Sequence, residues 1–453
     1  MRRAASYLLL VALMASLGVV VGLTRSQVLA LALFSSMVLG TLFFWVSRLI
    51  FAFLAVGVLL ALGLLDVAHL IEFANLDVIL FLVGMMLVVG YLEERGFFEG
   101  VLEVVMDRMG HNTTRLTVLM MAIAALSAAL VDEVTSILFI MAVGFRIVSR
   151  FGLKPAPYLM MMVFATNVGS SATVVGNPIG VIIALRGGLT FADFLRWAPP
   201  ITFLFVLPVT ILLSLLIFRR DIVPTIQNTH RPEQVGLFTA RYRTSWILFG
   251  ATILGLVLHS TIEHLLGLNK NTMLLGTALL AGGVALLLSG TKARDLVEKK
   301  VDWWTLAFFI FLFVSVGTLK FVGITDVVAG WIQAASGGSP NLAFILITAA
   351  NGFLTAFLDN VLAVATFIPV VQSLGAGGMD TFPLWWGMLF GGTLGGNATI
   401  IGSTANIVAI GMMERQGKGH IGFVQWLIPG VIVSVITLGM AAGLLLLQMA
   451  VFR

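Results

Sequence analysis

The chain alternates long apolar runs with short charged loops from end to end. Runs near 7–23, 28–46, 49–66 and 78–92 are followed by a longer apolar stretch at 115–149, then by runs at 156–184 and 199–218. A polar segment, "RRDIVPTIQNTHRPEQVGLFTARYR", interrupts the pattern. Beyond it come runs near 245–259, 272–290 and 303–322, a second long stretch at 341–375, and runs near 383–411 and 422–450. Most are of the length that crosses a bilayer as a helix. The pattern predicts an all-α polytopic membrane protein. The 17 residues from Tyr7 follow Arg2 and Arg3 as a signal peptide would, but their apolar core is long and no cleavage site stands out, so a spanning helix is expected.

The two long stretches carry acid at their centres, in "AALVDEVTSILFIMAV" and in "TAFLDNVLAVATFIPVV". Each is long enough to enter the membrane and return to its own side. With both read as re-entrant hairpins, all but six of the 26 Lys and Arg fall on one face; the exceptions are Arg25, Arg186, Arg196, Lys270, Lys320 and Arg453. Basic loops stay cytoplasmic, which predicts about eleven spans, a cytoplasmic N-terminus and an external C-terminus in a cytoplasmic (inner) membrane.

The halves then repeat. "ALVDEVTS" matches "AFLDNVLA", setting Asp132 against Asp359 and Glu133 against Asn360. "VGSSATVVG" matches "LGGNATIIG", setting Gly169 against Gly395, Thr173 against Thr399 and Gly176 against Gly402. Gly90 and Gly96 have the spacing of Gly317 and Gly323. The expected organisation is N-terminal helices at 1–44, a first repeat at 45–220 with hairpin 115–149 and broken helix 156–184, a cytoplasmic linker at 221–243, and a second repeat at 244–453 with hairpin 341–375 and broken helix 383–411. The repeats are inverted, the common design of secondary transporters.

Irregular backbone inside a membrane is tolerated where protein or a water-filled cavity covers it. The Gly- and Pro-rich stretches "TNVGSSATVVGNPIG" and "GGTLGGNATIIGSTAN" are therefore expected to unwind and present backbone groups to an ion or polar solute. Asn167, Gly169, Ser170, Ser171, Thr173 and Asn177, with Gly395, Asn397, Thr399, Ser403, Thr404 and Asn406, are the candidate substrate residues, joined by Thr135 at the first tip. The bland alternative has the glycines serve only close helix packing. Asp132 and Asp359, with Glu133 and Asn360, are the candidates for carrying H+ or Na+. An intramembrane acid is costly to insert, and desolvation raises a carboxyl pKa toward the range where protons come and go. The competing reading makes each Asp an N-cap of the half-helix that follows it.

Hydrophobic residues make up 59% of the 453 positions, charged residues 10%, and mean hydropathy is +1.07, which excludes an ordinary soluble domain. The net charge of +5 follows from topology; no basic–aromatic stripe for nucleic acid is present. The chain has no Cys, and its six His, at 69, 111, 230, 259, 264 and 420, fall in loops or near span ends without metal-ligand spacing. No metal site, organic cofactor or enzymatic activity is expected. A channel built on the same glycines is the reading from a different class.

The stretches "DEVTSILFIMAV", "TNVGSSATVVGNPIGVII", "LDNVLAVATFIPVV" and "LGGNATIIGSTANIVAIGMMERQG" resemble the ion transporter superfamily, in the branch of arsenite/antimonite permeases, NhaD-type sodium/proton antiporters and the melanosomal P-protein. "GFFEGVLEVVMDRMGHNTTRL" is similar to the link before the first hairpin there. The resemblance implies a scaffold, a transport region moving by an elevator mechanism, and a homodimer; an ATPase subunit in trans stays open. Related dicarboxylate transporters carry Ser-Asn-Thr at the tips where this chain has acid, which disfavours a multiply charged anion. Many relatives read Gly-Asp-Pro-Pro-Asn where Gly176-Asn177-Pro178-Ile179-Gly180 stands here. Proton-coupled export of arsenite or antimonite is the first expectation; sodium/proton antiport or carboxylate (citrate/dicarboxylate) transport are the alternatives.

Overall fold

The computed structural model describes residues 2–44, 47–98, 100, 113–150, 152–222 and 242–452. Most of the expected pre-hairpin link and of the 221–243 linker, with His111, His230, Arg231 and Arg241, lies outside the described residues. Every regular element among the described residues is helical. Nine helices among the described residues are long and apolar enough to cross a membrane. Two of them, Thr113–Leu130 and Pro340–Phe357, are first arms of the hairpins. The halves of the broken segments fall short of a crossing on their own, at 16 and 10 residues in one and 14 and 12 in the other.

Both hairpins turn at an aspartate. Thr113–Leu130 gives way to Glu133–Arg150 across Asp132, and Pro340–Phe357 to Asn360–Ala376 across Asp359, with each pair of arms packed together. Asp132 Oδ1 accepts from the amides of Val134 and Thr135 at 2.8 and 3.0 Å, and Asp359 Oδ1 from Val361 N at 3.1 Å. Both acids are thus N-caps, satisfying amides that a helix start leaves open.

The broken segments open where glycine and short polar residues accumulate. Pro155–Ser170 ends, Val174–Gly176 forms a single tight turn, and Asn177 starts Pro178–Gly187 by accepting from Gly180 N at 2.8 Å. In the second repeat Phe382–Gly395 ends and Ser403 starts Thr404–Arg415 by accepting from Ala405 N at 3.2 Å.

The repeat extends to single contacts. Thr173 Oγ1 donates to the Ala129 carbonyl and Thr399 Oγ1 to the Ala356 carbonyl, the same position in each hairpin. A Cβ on Gly169 would lie 2.0 Å from the Ala125 carbonyl oxygen, and one on Gly395 would lie 2.6 Å from that of Gly352, again matched positions. The halves also cross over: Pro178–Gly187 packs on the second hairpin and Thr404–Arg415 on the first. The matched helices Leu76–Glu94 and Trp303–Phe321 run in opposite directions, because Lys300, just before the second, pairs with Glu93 at the end of the first at 3.1 Å.

Two boundaries differ from the hydropathy reading. The run expected to start at 199 starts at Phe191; Pro199 and Pro200 lie inside a helix that passes through a wide turn at Thr202–Val206 before Leu207–Ile217. Each proline removes an amide, and the wide turn absorbs the missing bonds. The run expected to end at 259 continues to Leu266, which leaves His259 fully buried inside a helix rather than at its end.

Candidate functional site

Glu133 is the centre of the site. It is 2% exposed. Its Oε1 accepts from Asn360 Nδ2 at 2.8 Å and from Ser403 Oγ at 3.3 Å, and its Oε2 accepts from Ser170 Oγ at 3.2 Å. Both hairpin tips and both breaks therefore meet on one carboxylate. Beside it, Asn167 Nδ2 donates to Asn397 Oδ1 at 2.8 Å and to Asn406 Oδ1 at 2.9 Å, while its Oδ1 accepts from Ser403 Oγ at 3.1 Å. Asn406 Nδ2 donates to the carbonyls of Gly396 and Thr399, both at 2.8 Å. Asn177 Nδ2 reaches the Ser170 carbonyl at 3.1 Å and its hydroxyl at 3.0 Å. Asp359 closes the cluster, accepting from Thr404 Oγ1 at 2.7 Å.

These side chains bring opened backbone, amides, hydroxyls and carboxylates into one apolar surround. Among the described residues no Lys or Arg forms an ion pair with Glu133, Asp132 or Asp359. Among the described residues every hydrogen-bond donor to Glu133 is neutral. A buried carboxylate without a cationic partner is expensive, and a proton or a small cation relieves the cost.

Not every expected residue joins the cluster. Ser171 Oγ turns away, donating to the Val168 carbonyl at 2.7 Å and pairing with Thr202 Oγ1 at 2.9 Å. Thr173 and Thr399 tie each break to its own hairpin, and Gly169 and Gly395 permit that close approach, which is the packing role. Asp132 and Thr135 N form the first tip's cap beside Glu133. Sequence reasoning passed over Arg48 as one more loop cation; it is 5% exposed. Its only signal was a lone Arg heading "RLIFAFLAVGVLLALGLL".

The family model described as "Citrate transporter" matches residues 31–334 and 266–452. The chain belongs to the citrate transporter family. An uncharacterized transporter of Mycobacterium tuberculosis is 33% identical over 386 residues, covering 83% of this chain and 87% of the relative. The human P protein is 26% identical over 432 residues, covering 78% of this chain and 51% of that protein. Among solved structures, the YdaH transporter of Alcanivorax borkumensis superposes with a TM-score of 0.58 over 85% of this chain and 87% of that one, at 15% identity, so the likeness is one of fold. The chain is a multi-pass membrane transporter.

Proposed function

We propose that this transporter is secondary active, with Glu133 and Asp359 as carriers of a coupling proton or sodium ion. One observation carries the reading: Glu133 is buried at the junction of both tips and both breaks, and its donors among the described residues are all neutral. Binding H+ or Na+ neutralises it, and loss of the ion leaves it charged, so the cluster's electrostatic state depends on loading. The amides of Asn167, Asn397 and Asn406 and the hydroxyls of Ser170 and Ser403 suit a small neutral or inorganic solute, with export of arsenite or antimonite in exchange for protons the leading candidate. The basic loops support an inner-membrane location with the N-terminus inside. A carboxylate substrate is the second reading, favoured by the family's description as a citrate transporter.

The test uses inside-out vesicles with an acid interior and a fluorescent pH reporter, to which sodium, lithium, arsenite, antimonite and citrate are added separately. Proton release on arsenite or antimonite supports the leading reading. Release on sodium or lithium alone makes the protein a cation/proton antiporter, and release on citrate alone selects the carboxylate reading. Solute flux that never accumulates against a gradient makes it a channel and overturns all three.

A further inference from the structure

Arg186 lies in the last turn of Pro178–Gly187, the far half of the first broken segment, and its Nη2 donates to Asp77 Oδ1 at 2.5 Å. Two residues earlier, the Ala184 carbonyl accepts from Asn271 Nδ2 at 3.2 Å. Both bonds join bodies that differ in kind. Pro178–Gly187 starts at Asn177 in the site and packs on Asn360–Ala376 and Phe382–Gly395. Asp77 belongs to Leu76–Glu94, and Asn271 starts Thr272–Ser289. Those two helices pack on one another and supply none of the side chains described around Glu133.

The backbone is unusual at both anchor points. Asn75, at the start of Leu76–Glu94, and Asn271 are the only non-glycine residues with left-handed backbone among the described residues, at φ of 49° and 64°. That conformation is unfavourable for a residue with a Cβ, least so for asparagine, and such strain gathers at sites that bind or switch. Glu263 fixes the second anchor. It is 4% exposed inside Arg243–Leu266, where an acid is costly. Its Oε2 accepts from Asn271 N at 3.0 Å and its Oε1 from Met273 N at 2.8 Å. The Asn271 side chain is thereby held toward the carbonyl end of Pro178–Gly187, whose partial negative charge suits an amide donor.

The matching residues of the second repeat cannot pair in this way. Thirteen positions before the paired glycines Gly90 and Gly317 stand Asp77 and Trp304. Ten positions after Gly176 and Gly402 stand Arg186 and Met412. Trp304 is 47% exposed, and Thr404–Arg415 packs on the first hairpin and on Pro155–Ser170. Inverted repeats in unequal arrangements describe one end state, and exchanging the arrangements describes the other. Exchange parts Arg186 from Asp77 and brings Met412 to Trp304.

We propose that Asp77 and Asn271, the latter positioned by Glu263, latch the Arg186 end of the broken segment and so set the balance between the two end states of transport. The latch is closed in the arrangement described here. It is open in the opposite one, where an apolar contact between Met412 and Trp304 takes its place. The proposal rests on the reading of the chain as a secondary active transporter. An ion pair and an amide bond hold one end state and a contact without charge holds the other, so residues remote from the Glu133 cluster decide which state the chain prefers.

Cross-linking tests this without solute or coupling ion. The chain has no cysteine, so Met412→Cys with Trp304→Cys gives a unique thiol pair in the reconstituted protein. Copper phenanthroline oxidises the pair to a disulfide in the state that brings the two together. Arg186→Gln, Asp77→Asn and Asn271→Gly are each expected to raise the initial cross-linking rate about tenfold over the cysteine pair alone. Asn271→Gly keeps the left-handed turn and the amide to Glu263 and removes the bond to Ala184. Exchanging the charges, Asp77→Arg with Arg186→Asp, is expected to bring the rate down again about fivefold, which loss of packing alone does not do. Should the exchanged pair not fold, Asp77→Asn in the Arg186→Gln background decides instead and is expected to add nothing. Glu263→Gln is expected to raise the rate and to add nothing in the Asn271→Gly background, as fits a residue acting through Asn271. Rates equal in every variant, no cross-link in any, or independent additive effects within both pairs overturn the proposal. Uphill solute accumulation in vesicles without these responses faults the latch alone; the responses without accumulation fault the transport reading alone.

Discussion

The Asn360 side-chain amide donates to the Glu133 carboxylate at 2.8 Å, joining the tips of two hairpins whose bonded residues are 227 positions apart in the chain. The repeat places these two residues at equivalent positions, so one acid and one amide share a site that exact symmetry would have filled with two like groups. Two acids there would repel, and two amides would carry no ion. The departure from symmetry at this pair is where coupling is expected to reside.

Glu133→Gln is therefore expected to abolish solute-driven proton movement in vesicles while leaving the protein folded, since Gln retains an oxygen for Asn360 and Ser403 and its amide nitrogen can donate to the Ser170 hydroxyl. Glu133→Ala strands those donors and costs about 1–3 kcal/mol for each left unsatisfied. Size-exclusion profiles and thermal midpoints in detergent separate the two variants. A Gln variant with native flux would remove Glu133 from the coupling role.

Asp359→Asn keeps the size and the cap to Val361 N, and its amide nitrogen can donate to the Thr404 hydroxyl in place of the bond it received, so the second tip should hold its shape. Coupled transport is expected to fall to the level of empty vesicles. Wild-type exchange in this variant would exclude Asp359 as a carrier.

Asn167→Ala removes the group that draws Asn397, Asn406 and Ser403 together across the repeat interface. Stability is expected to drop by about 1–3 kcal/mol for the stranded polar atoms, with solute binding lost as well. Isothermal titration with the solute identified in vesicles, paired with a melting curve, reads both effects.

Gly169→Ala or Gly395→Ala forces a methyl against a hairpin backbone carbonyl, at 2.0 and 2.6 Å respectively, where neither partner can rotate away. Both variants are expected to aggregate on extraction. Gly411→Ala, with nothing within 4 Å, is the control and should behave as wild type.

Much of the fold could be read from hydropathy because bilayer thickness and helical rise leave few options for runs this apolar. The tips were visible for a related reason: Asp132 and Asp359 are so out of place in their surroundings that function or capping had to account for them, and both caps are present. What hydropathy could not reveal is direction. Ser170 and Ser171 are adjacent and chemically identical, yet one bonds Glu133 and the other Thr202, a difference made by the opening of the helix after Ser170. In the repeat Glu133 faces a neutral counterpart, Asn360, and only the meeting of distant segments shows that this amide is its partner. Arg48 was hidden by its position at a run's edge, where a loop and a buried helix start look alike. Pro199 and Pro200 misplaced a boundary since they read as a break, while the wide turn beyond them carries the helix on.

The crossing of each broken segment onto the opposite hairpin also bears on how the chain is made. Pro178–Gly187 rests on Asn360–Ala376, and Asn167 finds its partners at Asn397, Ser403 and Asn406. A ribosome reaches those residues more than two hundred positions after Asn167. Until then the first half sits in the bilayer with its amides and its acid unanswered, a nascent state that invites holding by an insertion chaperone and, if synthesis stops early, removal by a membrane protease.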